Sequence, residues 1–153
     1  MPMNFILDST DKKILKHLIK DARIKVVDIA SYLGVTSAAI HQRIGKIKRS
    51  GIIKEFTLRL DEKKLGYTTC AFIGVFLDKN SNYNELILKL KKIEEVVEAH
   101  YTTGEYGLFV KVYTKDNDHL MKVLNGKIKQ IKEVTRTETF ISLEEPITRS
   151  ISF

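Results

Sequence analysis

Apolar residues recur at helical spacing through the first fifty positions and then change to strand-like alternation. Ile14, Leu15, Leu18 and Ile19 repeat at i, i+1, i+4 and i+5, which is one buried face of a helix beginning near Asp8. Asp8 can accept a hydrogen bond from the Asp11 amide, and both carboxylates stand at the positive end of that helix. Ala22 ends the stripe. A second helix, over about residues 27–33, turns Ile29, Ala30 and Leu33 inward, and Gly34 ends it where a positive φ costs little. Thr36 caps a third helix that runs to about Ser50 and stops at Gly51. Ile40, Ile44 and Ile47, at i, i+4 and i+7, face the core.

Residues 52–58 alternate like a strand and could form a wing or a connecting strand. Residues 61–67 read as a polar hinge. Beyond it the order is strand (about 69–77), helix (83–93), strand (96–103), strand (108–114), helix (117–131), strand (134–143). Leu86, Ile87 and Leu90 turn inward on the first of these helices, and Leu120, Val123, Leu124 and Ile128 on the second. Gly104-Glu105-Tyr106-Gly107 is the turn of a hairpin. That order is the ferredoxin-like βαββαβ arrangement. The fold class is α+β: a winged helix-turn-helix over residues 1–60, then an αβ-sandwich over residues 61–153.

The strand at 69–77 is apolar on both faces. Ala71, Ile73, Val75 and Leu77 form one, and Cys70, Phe72, Gly74 and Phe76 the other. Two helices cover one side of a four-stranded sheet. The second side needs a partner sheet, which predicts a dimer by sheet-on-sheet packing.

Charge sharpens the division. Residues 1–60 hold 12 Lys and Arg against 5 Asp and Glu, whereas residues 61–153 hold 14 of each. The whole formal charge of +7 therefore lies with the three helices, which points to a polyanionic partner there. On the third helix, at about 100° per residue, Ala38, Gln42, Gly45 and Arg49 point away from the isoleucines, flanked by His41 and Lys46. Small residues permit close approach, and Gln and Arg can read base edges in a major groove. Thr36, Ser37, Ala38, His41, Gln42, Arg43, Lys46 and Arg49 form the candidate DNA-contacting set. A plain three-helix bundle with a solvated basic face is the bland alternative. The charge division and the outer-face composition argue against it.

At 153 residues, 43% hydrophobic and 29% charged, the chain has the composition of a globular protein. The lone Cys70 precludes an intramolecular disulfide and fits a reducing compartment. The longest apolar run, residues 70–77, falls far short of the roughly 20 needed to cross a bilayer. A cytoplasmic location without membrane association is expected. Catalysis is not expected. The four histidines are scattered, Cys70 suits a small buried residue better than a nucleophile, and no glycine-rich phosphate loop or metal-ligand spacing appears.

Several motifs fall in one order. Leu7-Asp8, Asp11 to Leu15, Asp21-Ala22-Arg23, Asp28-Ile29-Ala30, Leu33-Gly34-Val35-Thr36, Arg43-Ile44 and Ser50-Gly51-Ile52-Ile53 resemble the Lrp/AsnC, or feast/famine, transcription regulators. Arg43 stands where many helix-turn-helix motifs carry an aliphatic, and the resemblance accounts for it. The second half resembles that family's effector-binding RAM domain, and residues 98–106 with 136–139 look closest to its AsnC branch. The resemblance implies sequence-specific binding of double-stranded DNA, dimers assembling into octamers, and modulation by a small amino acid, with asparagine first. No metal and no other cofactor is expected from the scattered histidines and the lone cysteine. An effector site carried over from the family would involve Tyr101, Thr102, Thr103, Gly104, Glu105, Tyr106 and Gly107, with Thr137, Glu138 and Thr139 nearby. Hydroxyls and turn amides can hold an α-carboxylate, and Glu105 or Glu138 could meet an α-ammonium. An amino-acid-sensing oligomer without DNA binding is the alternative function.

Overall fold

A computed structural model describes residues 5–78 and 81–153. The chain divides into two compact units. One runs to Arg59 and takes in Thr148–Phe153, and the other is Leu60–Ile147.

The first unit is three helices: α1 (Ser9–Lys20), α2 (Val26–Leu33) and α3 (Ser37–Arg49). Asp8 caps α1 in a reciprocal capping box. Asp8 Oδ1 accepts from the Asp11 amide at 2.8 Å, and Asp11 Oδ2 accepts from the Asp8 amide at 3.2 Å. Gly34, at φ 64°, is the left-handed residue that turns the chain out of α2, and Thr36 Oγ1 caps α3 by accepting from the Ala39 amide. Ile14, Ile29, Ala30 and Ile40 form the core, with Leu18, Leu33 and Ile44 packed at its margin. Among the described residues no strand is assigned between α3 and Thr69, so the expected wing is not formed within the chain. The alternation at 52–58 lacks a neighbouring strand to bond, and Phe56, Leu58 and Leu60 are exposed.

The second unit follows the expected order: β1 (Thr69–Leu77), α4 (Tyr83–Leu90), β2 (Val96–Tyr101), β3 (Leu108–Thr114), α5 (Asn117–Gly126) and β4 (Val134–Ser142). The strands lie in the order β2-β3-β1-β4, and every neighbouring pair is antiparallel. Both helices end earlier than their apolar periodicity suggests. Lys127 leaves helical geometry at φ −122°, and a 3₁₀ turn, Ile128–Gln130, completes the span while keeping Ile128 buried. Ala71, Ile73 and Val75 of β1 and Leu108, Val110 and Val112 of β3 pack against Leu86 and Leu90 of α4 and Leu120 and Val123 of α5. Ion pairs tie the connections down. Lys89 Nζ donates to both oxygens of the buried Glu133, at 2.8 and 2.9 Å, and Lys127 Nζ does the same for Glu95, at 2.7 and 2.8 Å.

Candidate functional site

The outward surface of α3 is built by its isoleucines. Ile40 and Ile47 are fully buried and Ile44 partly so, which fixes the rotation of the helix about its axis. Ala38, His41, Gln42, Lys46 and Arg49 are then exposed together, beside the exposed cap Thr36 and the half-buried Ser37. Gly45 lies under Arg49, since a methyl group built there would come within 3.3 Å of Arg49 Nη1. The side chains on this surface are donors, ambivalent donor-acceptors or small, and none is acidic. It is suited to approach by phosphates and base edges.

Arg43 does not join that surface. Its Nη1 donates to Asp8 Oδ2 at 2.6 Å and to Asp11 Oδ1 at 2.7 Å. Asp11 is 4% exposed. The Asp11 amide, and next the Arg43 guanidinium, hold the Asp8 carboxyl below the usual carboxylate range. In return the two carboxylates, Asp8 foremost, raise the already high Arg43. Arg43 stands among the expected DNA contacts, but the partners it bonds lie 35 and 32 residues away in sequence.

In the second unit the expected effector residues separate onto two faces of the sheet. Thr137 lies opposite Val75 and Thr139 opposite Ile73, on the face that the helices cover. Glu138 lies opposite Gly74, on the other face. There the Tyr106 hydroxyl donates to Glu138 Oε2 at 2.6 Å, Arg136 pairs with Glu138, and the Arg136 guanidinium carbon sits 4.3 Å from the Phe76 ring centre. Glu138 is thus already engaged. Rings of Phe76, Phe109 and Phe140 surround Tyr106 at 5.1, 6.0 and 6.4 Å.

The hairpin turn is closed internally. The Thr102 hydroxyl donates to the Tyr106 carbonyl, and the Thr102 amide to the Gly107 carbonyl at 3.3 Å. Thr103, Gly104 and Glu105 are exposed. Tyr101 is exposed and meets Tyr83 edge-on, with ring centres 5.2 Å apart. A side chain at Gly107 would meet Leu77, 2.6 Å from its Cδ1. Arg136, Phe76 and Gly74 belong to this cluster but were not among the expected effector residues. Strand alternation was the available signal, because it puts Arg136 and Glu138 on one side and Thr137 and Thr139 on the other.

Known proteins carry the same two parts. Residues 7–48 match the AsnC-type helix-turn-helix domain, and residues 70–151 match the Lrp/AsnC ligand binding domain. The chain belongs to the Lrp/AsnC family. Regulatory protein AsnC of Haemophilus influenzae is 47% identical over 145 residues, 95% of this chain and 97% of that protein. The Lrp/AsnC fold is matched by the structure of Escherichia coli AsnC, with a TM-score of 0.91 and 39% identity, covering 96% of this chain and 99% of that one. A transcriptional regulator of Neisseria meningitidis, solved with L-Met, shares the fold at a TM-score of 0.90 and 20% identity, with 95% of each chain covered. This Lrp/AsnC member is a transcription regulator with a helix-turn-helix DNA-binding domain, in an α+β fold.

Proposed function

We propose that α3 reads a duplex major groove through Gln42 and Arg49, with Thr36, Ser37, Ala38, His41 and Lys46 around them, and that a small amino acid tunes the assembly. The exposed, acid-free surface of α3 carries the first part. The basic surplus of the first sixty residues supports it. Every phosphate neutralised releases counterions, so log affinity should fall against log salt with a slope near −0.9 per contact. A flat titration sinks the DNA reading.

The effector part rests on the ligand-binding domain match and on the Neisseria meningitidis relative solved with L-Met. Likeness to AsnC puts asparagine first. The exposed turn at Thr103, Gly104 and Glu105 is where an amino acid would approach, while Tyr106 and Glu138 form a bonded wall on the outer sheet face. Thermal shift with the twenty amino acids tests this, because a ligand at 100 times its Kd adds roughly 2.7 kcal/mol. No shift with any of them removes the amino-acid reading.

The protein acts in the cytoplasm as an oligomer without catalytic chemistry of its own. No described helix is long and apolar enough to cross a membrane. The aromatic layer of Phe72, Phe76, Tyr106, Phe109 and Phe140 supports sheet-on-sheet pairing with a second copy, since Phe140 stays half exposed in the single chain. Phe140→Asp should shift the sedimentation coefficient toward the monomer.

A further inference from the structure

Arg43 sits in α3 between Gln42 and Ile44, yet both of its bonds run to the start of α1. A single nitrogen, Nη1, meets two carboxylates at 2.6 and 2.7 Å. Through Nη1 the guanidinium is committed to these carboxylates and not to a phosphate. The two carboxylates are themselves locked to each other's backbone amides in the capping box of α1. Their positions are therefore set by the helix start and not by loose side-chain torsions.

The aliphatic stripe on α3 is not directional. Ile40, Ile44 and Ile47 exclude water equally well over a small range of rotation and sliding. Charge-assisted hydrogen bonds are directional, and here they span 35 and 32 residues of sequence. We infer that Arg43 is a positioning residue: Asp8 and Asp11 hold it, and through it they set the bearing of α3, so two carboxylates on α1 govern how faithfully the helix reads DNA. This rests on the reading of α3 as the DNA-reading element.

The sign of one substitution separates this from ordinary electrostatics. Removing a carboxylate near a DNA-binding surface makes the surface more positive, which by charge alone tightens binding. The clamp requires the opposite. Asp8→Asn is a clean probe, because Asn caps a helix about as well as Asp while losing the charge. Asp11→Asn and Arg43→Gln complete the set.

The full-length protein is titrated by fluorescence anisotropy with two probes, at a temperature well below its thermal midpoint. One is a duplex that the wild type enriches from a random-core pool, and the other is the unenriched pool. All three variants should lower the ratio of enriched to unenriched affinity, by up to roughly tenfold. Asp11→Asn combined with Arg43→Gln should cost no more than Arg43→Gln alone, because removing the guanidinium already breaks both bonds of the clamp. The salt slope should stay at the wild-type value. A residue needed only for folding would move the thermal midpoint and leave the affinity ratio unchanged, which refutes the clamp. Asn variants that bind the enriched duplex as tightly as the wild type, or more so, also refute it. So does a drop of about 0.9 in salt slope for Arg43→Gln, which makes Arg43 a phosphate contact. A wild type that binds neither probe brings down the DNA reading itself, whereas wild-type binding with an unmoved ratio brings down the clamp alone.

Discussion

The ring of Tyr106 lies flat on the backbone of Gly74, and a methyl group built on Gly74 would stand 2.5 Å from Tyr106 Cδ1. The hairpin turn therefore folds over the middle of β1 only because β1 has no side chain there. Gly74→Ala should displace the ring and break its bond to Glu138, at a cost of about 1–3 kcal/mol. Thermal denaturation checks the loss, and the same substitution placed in a Tyr106→Ala background should cost markedly less. Equal costs in both backgrounds would mean the glycine matters for another reason.

Gln42 and Arg49 stand on the exposed face of α3, clear of its isoleucines. If either reads a base, replacing it by Ala costs roughly 1–3 kcal/mol at its preferred site and relaxes preference at one base pair. Affinity for a set of single-base variants of the enriched duplex measures this. A uniform loss across the set would reassign the residue to a phosphate.

Gly34 holds a φ of 64° between the two helices of the reading motif. Any L-residue with a Cβ pays roughly 1–2 kcal/mol in that region. Gly34→Ala should lower the thermal midpoint by several degrees, and Gly34→Asn by less, because Asn tolerates the left-handed region. An unchanged midpoint for Gly34→Ala would mean the turn re-forms without strain.

Glu133 is buried, and the ammonium of Lys89 is the main reason its carboxyl lies below the ordinary value of 4.5. A carboxyl depressed by folding stabilises the protein above the unfolded value, and that stabilisation is lost as pH falls through the folded value. Asp8 and Glu95 are shifted the same way. The thermal midpoint should therefore fall as pH drops below about 4.5, and Glu133→Gln should make that decline shallower. Parallel acid profiles for the variant and the wild type would show that the Lys89 pair contributes nothing to acid sensitivity.

Much of the architecture was legible because local signals and packing agree. Residues 69–77 and 108–114 are apolar with strand periodicity, and they form β1 and β3 with those bounds. The caps Asp8, Gly34 and Thr36 were readable because each acts within three or four residues. Three features were not legible, each for its own reason. Alternation at 52–58 tells which way a side chain points but supplies no neighbouring strand to bond. The bonds of Arg43 were not readable, because its carboxylates lie more than thirty residues away. Thr137, Glu138 and Thr139 are adjacent in sequence and so were grouped, although a strand sends neighbours to opposite faces.

The strand order also governs when the polypeptide can finish folding. β1 bonds on one edge to β3 and on the other to β4, which is the last strand to be synthesised. On a ribosome, the core of α1 to α3, made of Ile14, Ile29, Ala30 and Ile40, is complete within the first fifty residues, while β1 must wait with one edge open until Ser142 emerges. An open, two-sided apolar strand invites pairing with another nascent chain. Chains arrested before Val134 should accordingly resist protease through α3 and be cut readily beyond Thr69, and a holdase chaperone would find its grip there.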